Sequence, residues 1–220
     1  MIILSRRDFL KQAARLSFAA SGILRSSVAV AQNPVNKPAG AMVIIARRPD
    51  VHVRPGQVSS EIIRTMLDQG ITKLTGAADG TRAWLSIFNP GETIGIKVNA
   101  MGGRNICTHT EVAYAVAGSL VNAGFKPQQI IIWDRLTEEL ERGGYKINRG
   151  NNDVLCFGTD NGYEPEPEAA GSIGSCFSTI LSRQCDALIS IPVLKDHDLS
   201  GVSLNLKNFY GAIHNPNKYH

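Results

Sequence analysis

Short apolar runs alternate with stretches of helical periodicity along most of the chain. Five runs are short and mainly apolar, which is typical of strands buried on both faces of a sheet. They span residues 42–46, 93–99, 129–134, 153–157 and 187–194. Pro192 lies inside the last run and requires an edge, a bulge or a strand end at that point. The pattern therefore predicts a sheet covered on both faces.

The segments between these runs carry signals for helix starts and ends. Ser59 is expected to cap a helix that ends at Gly70. Thr108 and Glu111 have the spacing of a capping box, and the helix that they open is expected to end at Gly124. The remaining segments are expected to form a short helix from Thr137 to residues 143–144, a loop at 161–174 and a helix at 177–183.

Strands that alternate with helices through short connections indicate parallel βαβ units. We therefore predict an α/β fold with a layered, mostly parallel sheet and flanking helices, built as a single domain over residues 42–220. Residues 204–214 resemble the start of a further element, and little chain follows them. Since the last strand of a parallel sheet needs a helix to cover it, we expect the C-terminal part of the domain to be missing.

The first 31 residues have the pattern of a twin-arginine signal peptide. Arg6 and Arg7 are followed by an apolar step and a lysine, then by a mildly apolar stretch at 13–24 and a small-residue site that predicts cleavage near Ala31. The apolar stretch is shorter than the roughly 20 residues that a membrane-spanning helix needs. We expect a linker at 32–41, the twin-arginine translocase as a partner, a periplasmic or other extracytoplasmic location, and no permanent membrane span. A retained anchor and an ordinary amphipathic helix are the alternatives.

The net charge of +4 belongs to this leader rather than to the domain. Residues 1–31 hold five of the 23 Lys and Arg residues and one of the 19 Asp and Glu residues, which leaves 18 of each sign. A domain without a bulk positive field is not drawn to phosphate backbones, so nucleic acid is excluded as an expected partner.

Cys107, Cys156, Cys176 and Cys185 contain no C-x-x-C pair, so the spacing of a zinc ribbon or an iron-sulfur motif is missing. Buried thiols, disulfides in any of three pairings, and metal ligation stay open. Asp196, His197, Asp198 and His214 form an alternative set of metal ligands, although such residues in loops are more often solvated.

Polar residues collect where the predicted strands end. Because the carboxyl ends of parallel strands meet at one edge of a sheet, we expect a shared cavity there. The candidates are Lys97 and Asn99 after the second strand, Asp134 after the third, and Lys195 and His197 after the last. Lys97 stands within an apolar run, so it either faces an anionic ligand or forms a structural pair, with Asp134 as a candidate partner.

Two hypotheses assign roles to these residues. In the first, the protein is an enzyme, with redox chemistry as one option, that acts on an anionic small molecule or cofactor. Lys97, Lys195 and Lys207 bind the anion, His197 is the general acid or base, and Asp134 orients His197. In the second, the same cluster binds an anion, a metal or a partner without turnover. The further ligand-binding candidates are Asn99, Asn208, Gly102 and Gly103; the two glycines allow a close approach of backbone amides, although glycines in such loops more often only turn the chain.

The strand with Lys97 and Asn99, the pattern Pro-x-x-Lys-x-His that ends at His197, and Leu-Lys-Asn-x-x-Gly at 206–211 together resemble the domain of unknown function 362 family. The resemblance covers most of residues 94–211. The resemblance implies an α/β domain. It also implies an iron-sulfur association, because many relatives carry a ferredoxin-like module. Other relatives are exported by the twin-arginine route. This chain has no cluster-type cysteine motif and ends where relatives generally continue, so its cofactor stays unknown.

Overall fold

The computed structural model describes residues 2–5, 41–150 and 152–219. Its strands are β1 (Ile2–Ser5), β2 (His52–Arg54), β3 (Gln57–Val58), β4 (Ile94–Val98), β5 (Ile130–Asp134), β6 (Leu155–Gly158), β7 (Glu168–Ala170), β8 (Ile173–Ser175), β9 (Ala187–Ile191), β10 (Lys195–His197) and β11 (Gly201–Ser203). Its α-helices are α1 (Ser60–Thr75), α2 (Gly80–Leu85), α3 (Thr110–Asn122), α4 (Thr137–Gly143) and α5 (Asn205–Asn208). A π-helix spans Ile180–Gln184, and 3₁₀ turns span Pro49–Val51, Pro127–Gln129, Phe209–Ala212 and Pro216–Tyr219.

The central sheet has the strand order β1-β9-β4-β5-β6. Strands β9, β4, β5 and β6 run parallel to one another, and β1 pairs antiparallel with the outer edge of β9. The chain moves from β4 to β5 to β6 in one direction and then returns to place β9 on the other side of β4. The order reverses between β4 and β9, and this gap is the topological switch point of the sheet. The predicted α/β fold with a mostly parallel sheet is confirmed.

The two faces of the sheet are covered by different elements. Helices α1, α2 and α3 cover one face and pack on alternate residues of the central strands: Ile94, Ile96, Val98, Ile130, Ile132 and Ile189. The π-helix and the turn at Phe209–Ala212 cover the other face, against Ile131, Trp133 and Leu188. Because side chains alternate along a strand, Lys97 lies on this second face beside Trp133. The turn at Phe209–Ala212 therefore packs on the same face of the sheet as this buried lysine.

Several local predictions agree with the structure. Strands β4, β5 and β9 lie within the apolar runs at 93–99, 129–134 and 187–194, and β6 overlaps the run at 153–157 and ends one residue beyond it. The Ser59 hydroxyl accepts a hydrogen bond of 3.3 Å from the Ile62 amide and caps α1. Strand β9 ends at Ile191, immediately before Pro192, which cannot donate to a sheet ladder.

The prediction of a buried strand at 42–46 is wrong. These residues form no strand, and Met42, Val43 and Ile45 are largely exposed. The segment runs along α1 instead, where the Ile44 side chain would be 3.9 Å from a Cβ atom at Gly70. The edge of the sheet beside β9 is taken by β1. Gly70 is likewise no helix end, because α1 continues to Thr75 and stops at Gly76, whose φ of 72° is left-handed.

The predicted capping box at Thr108 is also wrong. Helix α3 begins at Thr110 without a side-chain cap, because the Thr108 hydroxyl bonds elsewhere, to the ends of β4 and β9. The expected loop at 161–174 contains β7 and the start of β8, which form an antiparallel hairpin. The helix expected at 177–183 is the shorter π-helix Ile180–Gln184.

Most of the predicted signal peptide lies outside the described residues, including Arg6, Arg7 and the site near Ala31, so export and cleavage stay predictions. The four described residues of this segment form β1, and removal of residues 1–31 would uncover the outer edge of β9. Within the described ranges, no helix is both long enough and apolar enough to cross a bilayer.

Candidate functional site

A cavity of about 190 Å³ opens at the carboxyl ends of β4 and β5, next to the switch point. The C-terminal segment from β10 to Asn217 forms its other walls. Such a position is where open parallel sheets bind ligands, because loops and helix starts from several strands converge there. The lining residues that carry ionisable or hydrogen-bonding side chains are Lys97, Asn99, Asp134, Arg135, Glu139, Lys195, His197, Ser203, Lys207, Asn208, Tyr210 and Asn217.

Lys97 and Asp134 form an ion pair at the floor of this cavity. Their relative exposures are 1% and 4%, and Lys97 Nζ lies 2.5 Å from Asp134 Oδ1. The carboxylate also accepts hydrogen bonds from the backbone amides of Ala100 and Arg135, each at 2.7 Å. A buried charge is tolerated only when it is paired and hydrogen-bonded, and both charges meet that condition. Of the two roles predicted for Lys97, this geometry favours the structural pair.

Asn208 and Gly211 close the second face over this pair. The Asn208 side chain is 2% exposed, donates to the Lys97 carbonyl and the Ser190 hydroxyl, and accepts from Lys97 Nζ at 3.4 Å. A Cβ atom at Gly211 would lie 2.7 Å from Asp134 Oδ1 and 3.1 Å from Lys97 Nζ. Only glycine allows the backbone to approach this closely. The segment 206–211 therefore serves as a cover that is fitted to the ion pair.

Thr108 and Lys195 hold the two sides of the switch point together. The Thr108 hydroxyl accepts from the Asn99 amide at 2.9 Å and donates to the Ile191 carbonyl at 2.7 Å, so it joins the ends of β4 and β9. Lys195 Nζ donates to Asn99 Oδ1 at 2.8 Å and to the Met101 carbonyl at 3.1 Å. Burial lowers the pKa of Lys195, opposed by nearby carboxylates. Lys195 thus stands at the cavity wall with neutral oxygens as its bonded partners.

The cavity wall is rich in cations. Lys97 and Asp134 cancel each other, which leaves the charged side chains of Arg135, Lys195 and Lys207 against the carboxyl of Glu139. Lys207 Nζ lies 4.5 Å from the centre of the Tyr210 ring, and burial lowers the pKa of Lys207. The wall therefore offers excess positive charge to an anion, more strongly when Glu139 is protonated.

Glu139, in the first half of α4, is the acidic group of the wall. Its Oε2 atom is shielded from solvent and has no hydrogen-bond partner among the described residues. Burial raises the pKa of Glu139, and the neighbouring Asp134 charge raises it further. The positive charges of Arg135, Lys97 and Arg142 oppose this rise in the pKa of Glu139 without reversing it. Lys195 also interacts electrostatically with Glu139. A partly desolvated carboxyl without a donor is the kind of group that exchanges a proton or accepts a bond from a ligand.

His197 lies at the end of β10 on the opposite wall. Its Nδ1 atom accepts from the amides of Leu199 and Ser200, at 3.2 Å and 3.4 Å. An acceptor Nδ1 requires the proton of the neutral imidazole to be on Nε2. This arrangement suits His197 as a hydrogen-bond donor through Nε2.

The structure brings most of the predicted site residues together and separates others. Seven of the predicted residues line the cavity: Lys97, Asn99, Asp134, Lys195, His197, Lys207 and Asn208. Gly102 and Gly103 do not line it; their φ angles of 97° and 74° turn the chain after β4, and the missing Cβ of Gly102 makes room for Ile106. The hydrogen bonds of Asp134 go to Lys97 and two amides rather than to His197, which corrects the predicted orienting role.

The cysteines do not fit an iron-sulfur cluster. No disulfide joins them, and Cys107, Cys156 and Cys185 are buried at separate places, in the loop before α3, in β6 and after the π-helix. Burial raises the pKa of Cys156 to about 12, which keeps a thiol rather than the thiolate that binds metal. The described ranges contain no group of three or more His, Cys, Asp or Glu side chains placed to hold a metal ion, including around Asp196, Asp198 and His214.

Sequence reasoning missed several residues of the cavity wall. Arg135 directly follows Asp134, and Glu139 lies in the helix that begins two residues later, so the rule that pointed to Asp134 could have included both. Tyr210 and Gly211 lie within the motif at 206–211, but the close approach of Gly211 to Asp134 depends on a contact between residues distant in sequence.

Fold and site together define an α/β protein with a cation-lined cavity at the switch point of a parallel sheet. The family model described as "Domain of unknown function (DUF362)" matches residues 94–220, more than half of the chain. The chain belongs to this family. Every strand and loop that lines the cavity lies within the matched region. Comparison with the curated proteins and with the solved structures gave no match.

Proposed function

We propose that this chain is an enzyme that binds a small anionic molecule in the cavity at the ends of β4 and β5. The observation that carries the proposal is that cations and a carboxyl of raised pKa line the same cavity. The cations are Arg135, Lys195 and Lys207, and the carboxyl is that of Glu139. The cations supply electrostatic attraction that a partly buried site makes stronger than in water. A volume of about 190 Å³ is below the usual range for drug-sized ligands, which favours a small metabolite over a polymer.

Glu139 supports turnover over simple binding. An ionised carboxyl on the wall of an anion site lowers the affinity for the anion by repulsion, so Glu139 has a role other than attracting the charged group. A carboxyl of raised pKa next to cations is common where a proton must be moved. His197, with its Nε2 proton, is the second candidate for hydrogen bonding to the anion.

The test uses the purified full-length chain and the variant Lys207→Ala. Thermal shift and calorimetry with sulfate, phosphate and malate report binding, and mass spectrometry of a metabolite extract incubated with the protein reports depletion of anionic compounds. We expect Lys207→Ala to weaken binding roughly tenfold, as for the loss of one charged hydrogen bond or ion pair. Lys73→Ala, an exposed lysine of α1, is the matched control and should bind as the wild type does.

Two results would count against this function. Binding without depletion of any compound would favour a non-catalytic anion-binding role, and absence of binding by all three anions would remove the site altogether. We also propose export by the twin-arginine route, supported by the Arg6-Arg7 pattern. Cell fractionation of the wild type and of a variant with both arginines changed to lysine tests this; equal distribution of the two would refute it.

A further inference from the structure

We propose that Glu139 accepts a hydrogen bond from a hydroxyl group of the ligand, so that the ligand is a small anion that also carries a hydroxyl beside its charged group. This inference rests on the proposed function, because it assumes an anion in the cavity, and it adds the second recognition group. The argument depends on what the wall offers and on what it leaves without a partner.

The cations of the wall are placed for the charged end of the ligand. Within the described residues, Lys195 Nζ donates to neutral oxygens of Asn99, Met101 and Ile106, so no carboxylate hydrogen bond cancels its charge. Arg135 adds a guanidinium whose Nε is shielded and has no hydrogen-bond partner among the described residues. An anion at this wall would compensate both groups.

Glu139, in contrast to these cations, lacks a hydrogen-bond donor for its Oε2 atom among the described residues. Its carboxyl lines the same cavity, but its Oε2 has no donor within the described part of the chain, and the nearby Asp134 carboxylate is saturated by Lys97 and two amides. A partly desolvated carboxyl without a donor loses hydration and gains nothing in return. A ligand that enters this space can supply the donor that Oε2 lacks among the described residues.

The donor is a hydroxyl in this proposal because of the charge of its surroundings. An ammonium group would stand among Arg135, Lys195 and Lys207, where a further positive charge is repelled. A neutral hydroxyl donates to Glu139 without that cost. The cavity of about 190 Å³ accommodates a hydroxy acid or the phosphate ester of a small polyol.

The experiment measures affinities for two pairs of probes that differ by hydroxyl groups alone: malate with succinate, and glycerol phosphate with propyl phosphate. We expect the hydroxylated member of at least one pair to bind the full-length chain about tenfold more tightly, as for one hydrogen bond to a charged group. In Glu139→Leu the two members should bind equally, and the affinity for the member without the hydroxyl should be kept or increased, because a repulsive charge is gone.

Glu138→Leu is the matched control. Glu138 is the preceding residue of α4, is exposed and pairs with Arg142, so its loss removes the same charge without touching the cavity. This variant should keep the preference for the hydroxylated probe. Binding of all four probes without a preference in either pair would overturn the role of Glu139 and leave the proposed function standing. Failure of all four probes to bind would overturn the proposed function and this inference together.

Discussion

Replacement of Lys97 by methionine tests whether the Lys97–Asp134 pair holds the site together. Methionine has nearly the same length and fills the same space, but it removes three hydrogen bonds: to Asp134 Oδ1 at 2.5 Å, to the Val98 carbonyl at 2.7 Å and to Asn208 Oδ1 at 3.4 Å. The Asp134 charge then stays buried with only two backbone amides to stabilise it. The variant should therefore be strongly destabilised.

The expected loss of unfolding free energy is about 3–5 kcal/mol, the cost of removing one partner of a buried ion pair. For a domain of this size, about 2–4 °C of melting temperature corresponds to each kcal/mol, so the midpoint should fall by about 6–20 °C. Urea unfolding followed by tryptophan fluorescence measures the change, because Trp133 is fully buried and its ring centre lies 5.6 Å from Lys97 Nζ.

The variant that combines Lys97→Met with Asp134→Asn is the decisive comparison. It removes the stranded charge, so it should be no less stable than Lys97→Met alone, and the two single losses should not add. A loss below about 1 kcal/mol for Lys97→Met, or losses that add in the double variant, would refute the reasoning that the pair is structural.

Two further predictions follow from the same geometry. Gly211→Ala should cost about 1–3 kcal/mol in urea unfolding, because its Cβ would lie 2.7 Å from Asp134 Oδ1, whereas Gly91→Ala, with no atom within 4 Å, should change stability little; equal costs would contradict the close approach. Sulfate affinity should fall as the pH rises through the raised pKa of Glu139, because the ionised carboxyl repels the anion. Calorimetry across the pH range measures this change, and an unchanged pH dependence in Glu139→Gln would count against Glu139 as the titrating group.

The central strands could be predicted because their burial is recorded in the sequence. Strands β4 and β5 are buried at every residue, and a strand covered on both faces must be apolar throughout. The run at 42–46 has the same composition but lies along α1, with Val43 and Ile45 exposed. An apolar run indicates that its side chains favour burial. Whether the run becomes a strand of the sheet depends on its pairing with residues distant in sequence, as in the pairing of β1 with β9.

The position of the site could also be predicted, while its internal bonding could not. Parallel strands bring their carboxyl ends to one edge, and this rule alone placed Lys97, Asp134 and Lys195 around one cavity. Which of them pair depends on distances of a few tenths of an ångström. The Thr108 hydroxyl illustrates this, because its sequence spacing matches a capping box and the folded chain uses it to join β4 to β9.

Two lysines of the cavity, Lys97 and Lys195, have different electrostatic roles. Lys97 is saturated by Asp134, the Val98 carbonyl and Asn208, so a ligand could recruit its charge only by breaking a buried ion pair, at a cost of several kcal/mol. Lys195 has only neutral oxygens as bonded partners, and exchanging one of them for an anion costs far less. Lys97 therefore fixes the shape of the floor, and the affinity for an anion depends on the walls.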